Sequence, residues 1–316
     1  MKVVVAGANG LIGKQLVARL RERGDQVVGL VRRPGAASGV APGASEQAWD
    51  GKSSGPWAAS LDGADAVVNL AGAPVAGKRW SPAWKKEILD SRIDSSRALI
   101  EAMRVAGRKP GVFIAGSAMG FYGFHGGEPL DESAGPGTDF LAGVCQQWED
   151  ASRGAEGLGV RTVLLRTGVV LSRDGGALQQ MLPPFKAFVG GPIGDGKQWL
   201  SWIHIDDEVG IILWALDHGL RGPLNATAPE AATMKDFSKA LGAALSRPSW
   251  LPVPSFALRA ALGEFASMLI NGQRVVPKAA LDSGYIFRFP ALAPALAELL
   301  GGARASSSVA RAEAPR

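Results

Sequence analysis

The amino-acid sequence predicts an α/β fold, a doubly wound parallel sheet with a smaller C-terminal α/β unit. Two observations carry that prediction. Apolar runs of strand length alternate with longer segments of helical period through the first 170 residues, the pattern of repeated βαβ units. A glycine-rich turn separates the first strand from the first helix, and the rhythm changes after Leu171 into a stretch rich in Pro and Gly.

Each element has its own justification. Residues 2–6 include Val3-Val4-Val5, apolar toward both faces, as a strand covered on both sides requires. Residues 11–23 form a helix whose Gly13, Leu16, Val17 and Leu20 share one face toward the sheet, and Gly24 closes it at the C-cap. Strands are expected at 26–31, 66–70, 112–116 and 160–166, with long helices over 82–106 and 138–157. Beyond the Pro- and Gly-rich stretch at 182–197 comes a short strand at 199–204. Asp206 and Asp207 can cap a helix to about Asp217, because a carboxylate accepts free backbone N–H groups there. Another short strand covers 224–226. Thr233 and Asp236 have capping-box spacing before a helix to Leu245, with Asp the weaker substitute for Glu. From Pro252 follow two helical segments, a strand-like 285–289 and a last helix ending near Leu300. Residues 1–170, with 205–228 returning to them, therefore form the sheet domain. Residues 171–204 and 229–300 form the smaller unit, and 301–316 read as a disordered tail.

Composition narrows the function. The 316 residues are 47% apolar and 20% charged, enough for a substantial core. The net charge is +5, of which Arg304, Arg311 and Arg316 against Glu313 put +2 in the tail; the remainder is too thin an excess to predict nucleic-acid binding. One cysteine, Cys145, excludes an internal disulfide. Three widely spaced histidines without a cysteine pair exclude the usual structural zinc patterns, so no metal is expected. No apolar run reaches about 18 residues, and the N-terminus enters a strand directly. The expectation is a soluble, cytoplasmic protein without a membrane partner, monomer or homodimer.

The turn Gly7-Ala8-Asn9-Gly10-Leu11-Ile12-Gly13 follows a strand and opens a helix. In that context Gly7 permits a tight turn, Gly10 lets backbone approach a pyrophosphate, and Gly13 lets helix meet sheet, with the positive end of the helix dipole facing the phosphates. Asn9, Leu11 and Ile12 complete this candidate dinucleotide loop of a Rossmann-type sheet. The second strand ends in Arg32-Arg33 where an NAD-specific site would usually place a carboxylate. A guanidinium there suits a 2′-phosphate, which favours NADP(H). Small residues at Leu70-Ala71-Gly72 would let backbone pass the cofactor ribose, and Ala115, Gly116 and Ser117 fall at the nicotinamide end of the sheet.

The GxxGxxG spacing resembles that of the extended short-chain dehydrogenase/reductases. More narrowly, the chain is similar to a family labelled nucleoside-diphosphate-sugar epimerases with a C-terminal domain of unknown role. Trp49-Asp50-Gly51, Asn69-Leu70-Ala71-Gly72, Arg79-Trp80, Phe121-Tyr122-Gly123, Arg166-Thr167-Gly168, Ser201-Trp202-Ile203-His204-Ile205-Asp206-Asp207 and Gly272-Gln273-Arg274 carry the resemblance in order over roughly residues 1 to 300. It implies hydride transfer on a small oxygenated or nucleotide-sugar-like substrate held between the sheet edge and the C-terminal unit, with Arg166 among the cofactor residues. It also implies pairing, where members pair, through the two long helices.

The departure lies in the catalytic positions. Extended members use a Tyr-x-x-x-Lys pair to move a proton during hydride transfer; here those positions fall on Leu141 and Cys145. Ser117 and Tyr122 are the candidate substitutes. A phenol would need a cationic neighbour, Arg92 or Arg166, to act as a base; the competing reading makes Tyr122 a wall residue. Arg92 stands where the family commonly has asparagine, and a guanidinium there could orient substrate or form an internal ion pair. Trp80, Trp202 and His204 are further substrate candidates, and Trp49 and Trp199 fall in segments expected near the cleft. An enzyme and a catalytically inactive NADP-binding regulator or scaffold remain alternative functions.

Overall fold

The computed structural model describes residues 1–35, 39, 40 and 42–301, so the expected tail beyond Gly301 lies outside the described residues. Strand β1 (Lys2–Ala6) has Val3, Val4, Val5 and Ala6 fully buried. Helix α1 (Leu11–Glu22) buries Gly13, Leu16, Val17 and Leu20, the face expected from the spacing. Gly24 follows with φ of +87°, a left-handed turn that suits glycine at a helix end. Next come β2 (Gln26–Val31), β3 (Ser45–Ala48) and β4 (Ala66–Asn69). β3 had no counterpart in the sequence reading, because its Ser-Glu-Gln-Ala run has no buried face. Helix α2 (Pro82–Val105) starts where Ser81 accepts the Trp84 N–H, with Pro82 at its first position. Then follow β5 (Val112–Ala118), the short β6 (Pro129–Leu130), and α3 (Phe140–Arg153), capped by Asp139.

In the second half lie β7 (Arg161–Thr167), β8 (Val169–Ser172) and α4 (Gly176–Lys186). Helix α4 runs through Pro183 and Pro184 into the stretch at 182–197 whose Pro and Gly content marked the change of rhythm. Leu178, Leu182 and Phe185 share its buried face, and that burial outweighs the lost proline N–H groups. The expected strand at 199–204 is two strands, β9 (Trp199–Leu200) and β10 (Trp202–His204). Ser201 interrupts it: its buried hydroxyl donates to Gln273 O and accepts from Val275 N, both at 2.8 Å. Helix α5 (Ile205–Asp217) is capped by His204, which accepts the Asp206 N–H, so Asp206 and Asp207 lie in its first turn instead of capping it. β11 (Gly222–Ala226), β12 (Ala232–Thr233) and α6 (Met234–Leu245) follow. Thr233 caps α6 as expected; the Asp236 carboxylate reaches the Thr233 hydroxyl, at 2.6 Å. The last elements are α7 (Ser255–Leu262), α8 (Ser267–Ile270), β13 (Arg274–Val275), α9 (Lys278–Asp282) and α10 (Leu292–Leu300). The strand expected at 285–289 is absent. The Asp207 carboxylate accepts the N–H groups of Arg288 and Phe289, both at 2.8 Å, and takes the place of a neighbouring strand.

Seven strands form one parallel sheet in the order β11-β7-β5-β4-β1-β2-β3. Alternate side chains feed opposite layers: Val3 and Val5 pack with Leu16, Leu20 and Ile212 from α1 and α5, Val4 and Ala6 with Leu99 and Met103 from α2. A third apolar cluster joins Leu178 and Phe185 to Trp202, Phe237, Phe289 and Leu296, the segments expected to form the smaller unit.

Candidate functional site

The strand order reverses between β1 and β4, and at the carboxyl ends of these strands lies a cleft of about 1050 Å³. This is where a doubly wound sheet leaves room for a ligand. Gly7, Asn9 and Gly10 form one wall. Gly7 has φ of +76°, and a Cβ there would fall 2.8 Å from the Leu70 carbonyl carbon; one on Gly13 would fall 2.1 Å from Gly7 O. On Gly10 a Cβ would meet only Gly7 O, at 3.2 Å. No side chain caps α1, and its first turn carries no acidic residue. A glycine turn with an uncapped helix N-terminus fits an anionic dinucleotide. Leu11 and Ile12 stand in that first turn.

Arg32 lines the cleft at the end of β2, is exposed, and makes no ion pair among the described residues. Arg33 is exposed but stands outside the cleft wall. Leu70, Ala71 and Gly72 line the opposite side. Asn69, which the site reading passed over, shapes this turn: its Oδ1 accepts from Ala71 N at 3.1 Å and its Nδ2 donates to Ser95 Oγ at 3.2 Å. Trp49 and Asp50 close the far end. Backbone N–H groups of Ser53 and Lys52 hold the Asp50 carboxyl down to about 2, so it is ionised at neutral pH.

The expected nicotinamide-end residues are placed differently. Ala115 and Gly116 are sealed inside; a Cβ on Gly116 would lie 2.9 Å from the Trp148 ring, so this glycine makes room for an indole. Ser117 is buried and its hydroxyl donates to Glu149 Oε1 at 2.7 Å. Glu149 is buried as well and binds Arg166 in a two-point ion pair, Nε to Oε1 at 2.8 Å and Nη2 to Oε2 at 2.9 Å. Arg166 Nη1 donates to the Tyr122 hydroxyl at 3.0 Å, which donates to Asn225 Oδ1 at 2.7 Å. Arg166 is thus the cationic neighbour that Tyr122 needed. Yet burial raises the phenol's pKa and outweighs the guanidinium's pull. Tyr122 is wholly buried with its hydroxyl committed on both sides, and neither it, Ser117 nor the ion-paired Arg166 is among the residues lining the cleft. Burial works against the Arg166 charge, but Glu149 more than offsets it and its pKa rises. Glu149 and Asn225 escaped the sequence reading. A carboxylate on the buried face of α3, beside Cys145 and Trp148, was the available signal.

Leu141 and Cys145, at the family's Tyr and Lys positions, flank Gly120 inside the fold. Burial, with the Glu149 charge adding to it, pushes the Cys145 thiol up to about 12, so it is neither a thiolate nor a ready acid. Arg92 is partly buried; its Nη1 donates to Ala73 O at 3.0 Å and Ile88 O at 2.8 Å, and its Cζ lies 5.1 Å from the Trp148 ring centre. Trp80 meets Phe140 and Phe265 edge-on at 5.2 and 5.8 Å, joining the α2 approach, α3 and the C-terminal unit. Arg92 and Trp80 adjoin the cleft wall through Gly72, Arg79 and Ser81 without being part of its lining, and the other two substrate candidates lie elsewhere. Trp202 is fully buried in the C-terminal core with its Nε1 on Glu230 O, and His204 caps α5 while stacking on Phe289 at 3.9 Å.

Comparison with known proteins adds a lineage to this geometry. Residues 3–226 match the model of the NAD dependent epimerase/dehydratase family, and residues 253–299 match a domain described only as of unknown function. The epimerase family protein SDR39U1 homolog, chloroplastic, from Arabidopsis thaliana is 41% identical over 303 residues, covering 95% of this chain and 87% of that protein. The crystal structure of human epimerase family protein SDR39U1 (isoform 2) with NADPH matches at a TM-score of 0.87 and 37% identity, over 96% of this chain and 100% of that one. The structure of a nucleoside-diphosphate sugar epimerase from Corynebacterium glutamicum matches at 0.76 and 34% identity, over 95% of this chain and 58% of that one. Among the described residues no helix is long and apolar enough to cross a membrane. The plant relative's chloroplastic label means that membership of this lineage does not by itself fix a compartment.

Proposed function

Because the chain belongs to the NAD dependent epimerase/dehydratase family, we propose that it binds NADP(H) in the cleft at the sheet's switch point and transfers hydride on a small oxygenated or nucleotide-sugar-like substrate. Backbone N–H groups around Gly7, Asn9, Gly10, Leu11, Ile12 and Gly13 hold the pyrophosphate at the α1 N-terminus. Arg32 takes the 2′-phosphate, and Leu70, Ala71 and Gly72 form the wall along which the ribose runs. The nicotinamide, when bound, gives or takes the hydride. Arg92 and Trp80 border the substrate. The chain of Ser117, Glu149, Arg166, Tyr122 and Asn225 positions the ends of β5, β7 and β11 beneath the site, and the proton that accompanies hydride at the substrate oxygen is exchanged with water in the open cleft. The human relative crystallised with NADPH supports the cofactor assignment.

One observation carries this reading: an uncapped helix N-terminus in a glycine cradle, with the unpaired Arg32 at the end of the next strand. Fluorescence titration with NADPH and NADH tests it. Arg32→Ala weakens NADPH by about 10- to 100-fold, the worth of one charge-assisted contact, and leaves NADH within about twofold. Equal loss of both coenzymes, or no saturable binding by the unaltered protein, overturns the assignment. The inactive-regulator reading is favoured by Leu141, which has no proton to move, and by the buried, un-ionised thiol of Cys145. NADPH binding without oxidation against a panel of carbonyls and sugar nucleotides selects it, and turnover of any of them eliminates it.

A further inference from the structure

Of the arginines wholly or partly inside the fold, Arg166, Arg161 and Arg92 are not alike. Arg166 is neutralised by Glu149. Arg161 spends Nη1 on Ala215 O and Leu220 O and Nη2 on Leu216 O. Arg92 spends Nη1 alone, on two backbone carbonyls. Its Nε and Nη2 make no hydrogen bond and are not sealed from solvent, and no carboxylate lies within 4.0 Å of it among the described residues. Glu87, Asp90 and Asp94 stand on the same helix along the cleft without reaching it.

The surroundings hold this guanidinium in one plane. The two carbonyl contacts fix one edge and the Trp148 ring lies 5.1 Å from Cζ. Gly72, which lines the cleft, lies against the group: a Cβ there would sit 3.2 Å from the Arg92 Cζ. A charge taken partly out of water without a counter-charge is unfavourable unless something completes it. The side-on fork of Nε and Nη2 matches two oxygens of a carboxylate or phosphate.

We propose that Arg92, which stands next to the cleft wall against Gly72 and Ala73 and is not itself part of the lining, is an anion subsite for the substrate, so that the molecule acted on carries a carboxylate or phosphate recognised by the Nε and Nη2 edge. This rests on the cofactor reading above for which end of the cleft is which. The same chemistry could come from the cofactor's own pyrophosphate, and the test separates the two sources.

The probes are oxalate and inorganic phosphate, titrated calorimetrically onto the full chain loaded with NADP⁺, with NADPH affinity measured in parallel. At least one probe saturates on the unaltered protein. Arg92→Gln weakens it by about 10- to 100-fold, Arg92→Lys restores part of the loss because it keeps the charge but not the fork, and NADPH affinity moves by less than about threefold. Arg92→Lys also guards against misfolding of the Gln variant. Absence of saturable probe binding, or equal probe affinity in Arg92→Gln, overturns the proposal. So does an NADPH loss as large as the probe's, which assigns Arg92 to the pyrophosphate. If NADPH fails to bind the unaltered protein, the cofactor reading falls, and the probes titrated onto the unloaded chain decide the subsite separately.

Discussion

Glu208 shows how much one sealed side chain can control. It lies in the first turn of α5, fully buried, with Thr167 Oγ1 donating to its Oε1 at 2.8 Å and its Oε2 without a partner. Burial pushes its pKa up to about 8, against the Thr167 hydrogen bond. The native state therefore keeps a proton that the unfolded chain releases near 4.5, so this group's stabilisation is full below that value and drains away as pH rises to about 8, by up to ~1.4 kcal/mol per unit. Glu208→Gln keeps the acceptor for Thr167 and cannot ionise. Urea unfolding at pH 5, 6.5 and 8 should show the variant gaining on the parent as pH rises; parallel curves would mean the native carboxyl is already ionised. Legibility at this scale follows locality. The glycine turn and Arg32, which line the cleft, were readable because their placement depends on backbone shape and position at a strand end. Glu149 binds Arg166 from 17 residues away and Asn225 meets Tyr122 across 103, distances over which spacing carries no information. That is why spacing left Tyr122 open between a proton-handling group and a wall residue, while the fold buries it with its hydroxyl bonded to Arg166 and Asn225.

At the scale of elements, α1 separates two uses of glycine. A Cβ on Gly13 would fall 2.1 Å from Gly7 O and 2.9 Å from Ala8 Cα, both backbone atoms that cannot turn aside. Gly24 has φ of +87° and open space around it. Gly13→Ala must therefore lift the first turn of α1 off the loop, costing about 3 kcal/mol or more and abolishing NADPH binding in the same titration used for Arg32. Gly24→Ala costs about 1 to 2 kcal/mol of left-handed strain and leaves coenzyme affinity alone. Equal effects of the two on binding would show that the turn is not the cradle. Elements whose ends are set by neighbouring residues were legible: Thr233 caps α6, and the buried stripe of α1 fell where its period put it. Elements set by distant partners were not. Ser201 breaks a strand by bonding to Gln273 and Val275, and α4 crosses two prolines because Leu178, Leu182 and Phe185 are buried in the C-terminal core.

For the whole molecule, the question is what fastens the C-terminal unit to the sheet domain, because the cleft wall at Arg79 and Ser81 adjoins their junction at Trp80 and Phe265. The N-terminus of α5 is one fastening. Asp207 holds the backbone at Arg288 and Phe289, and His204 stacks on Phe289 while its Nε2 reaches Glu298 Oε2 of α10 at 3.1 Å. Because His204 Nδ1 accepts the Asp206 N–H, its proton sits on Nε2 and points to Glu298. A second proton on Nδ1 would face an N–H donor and break the cap. Burial lowers this imidazole's pKa below 6.5, with Glu298 and the neighbouring aspartates pulling the other way. The unfolded chain therefore takes the proton first, so the fastening is intact above about 6.5 and weakens as pH falls through the folded value, by up to ~1.4 kcal/mol per unit. His204→Asn keeps a capping acceptor for the Asp206 N–H and has nothing to titrate. Limited proteolysis at pH 7.5 and 5.5 should show cleavage within residues 285–300 rising at the lower pH in the parent, and changing much less in His204→Asn. If both are cut equally faster in acid, the carboxylates of this junction control its opening and His204 does not.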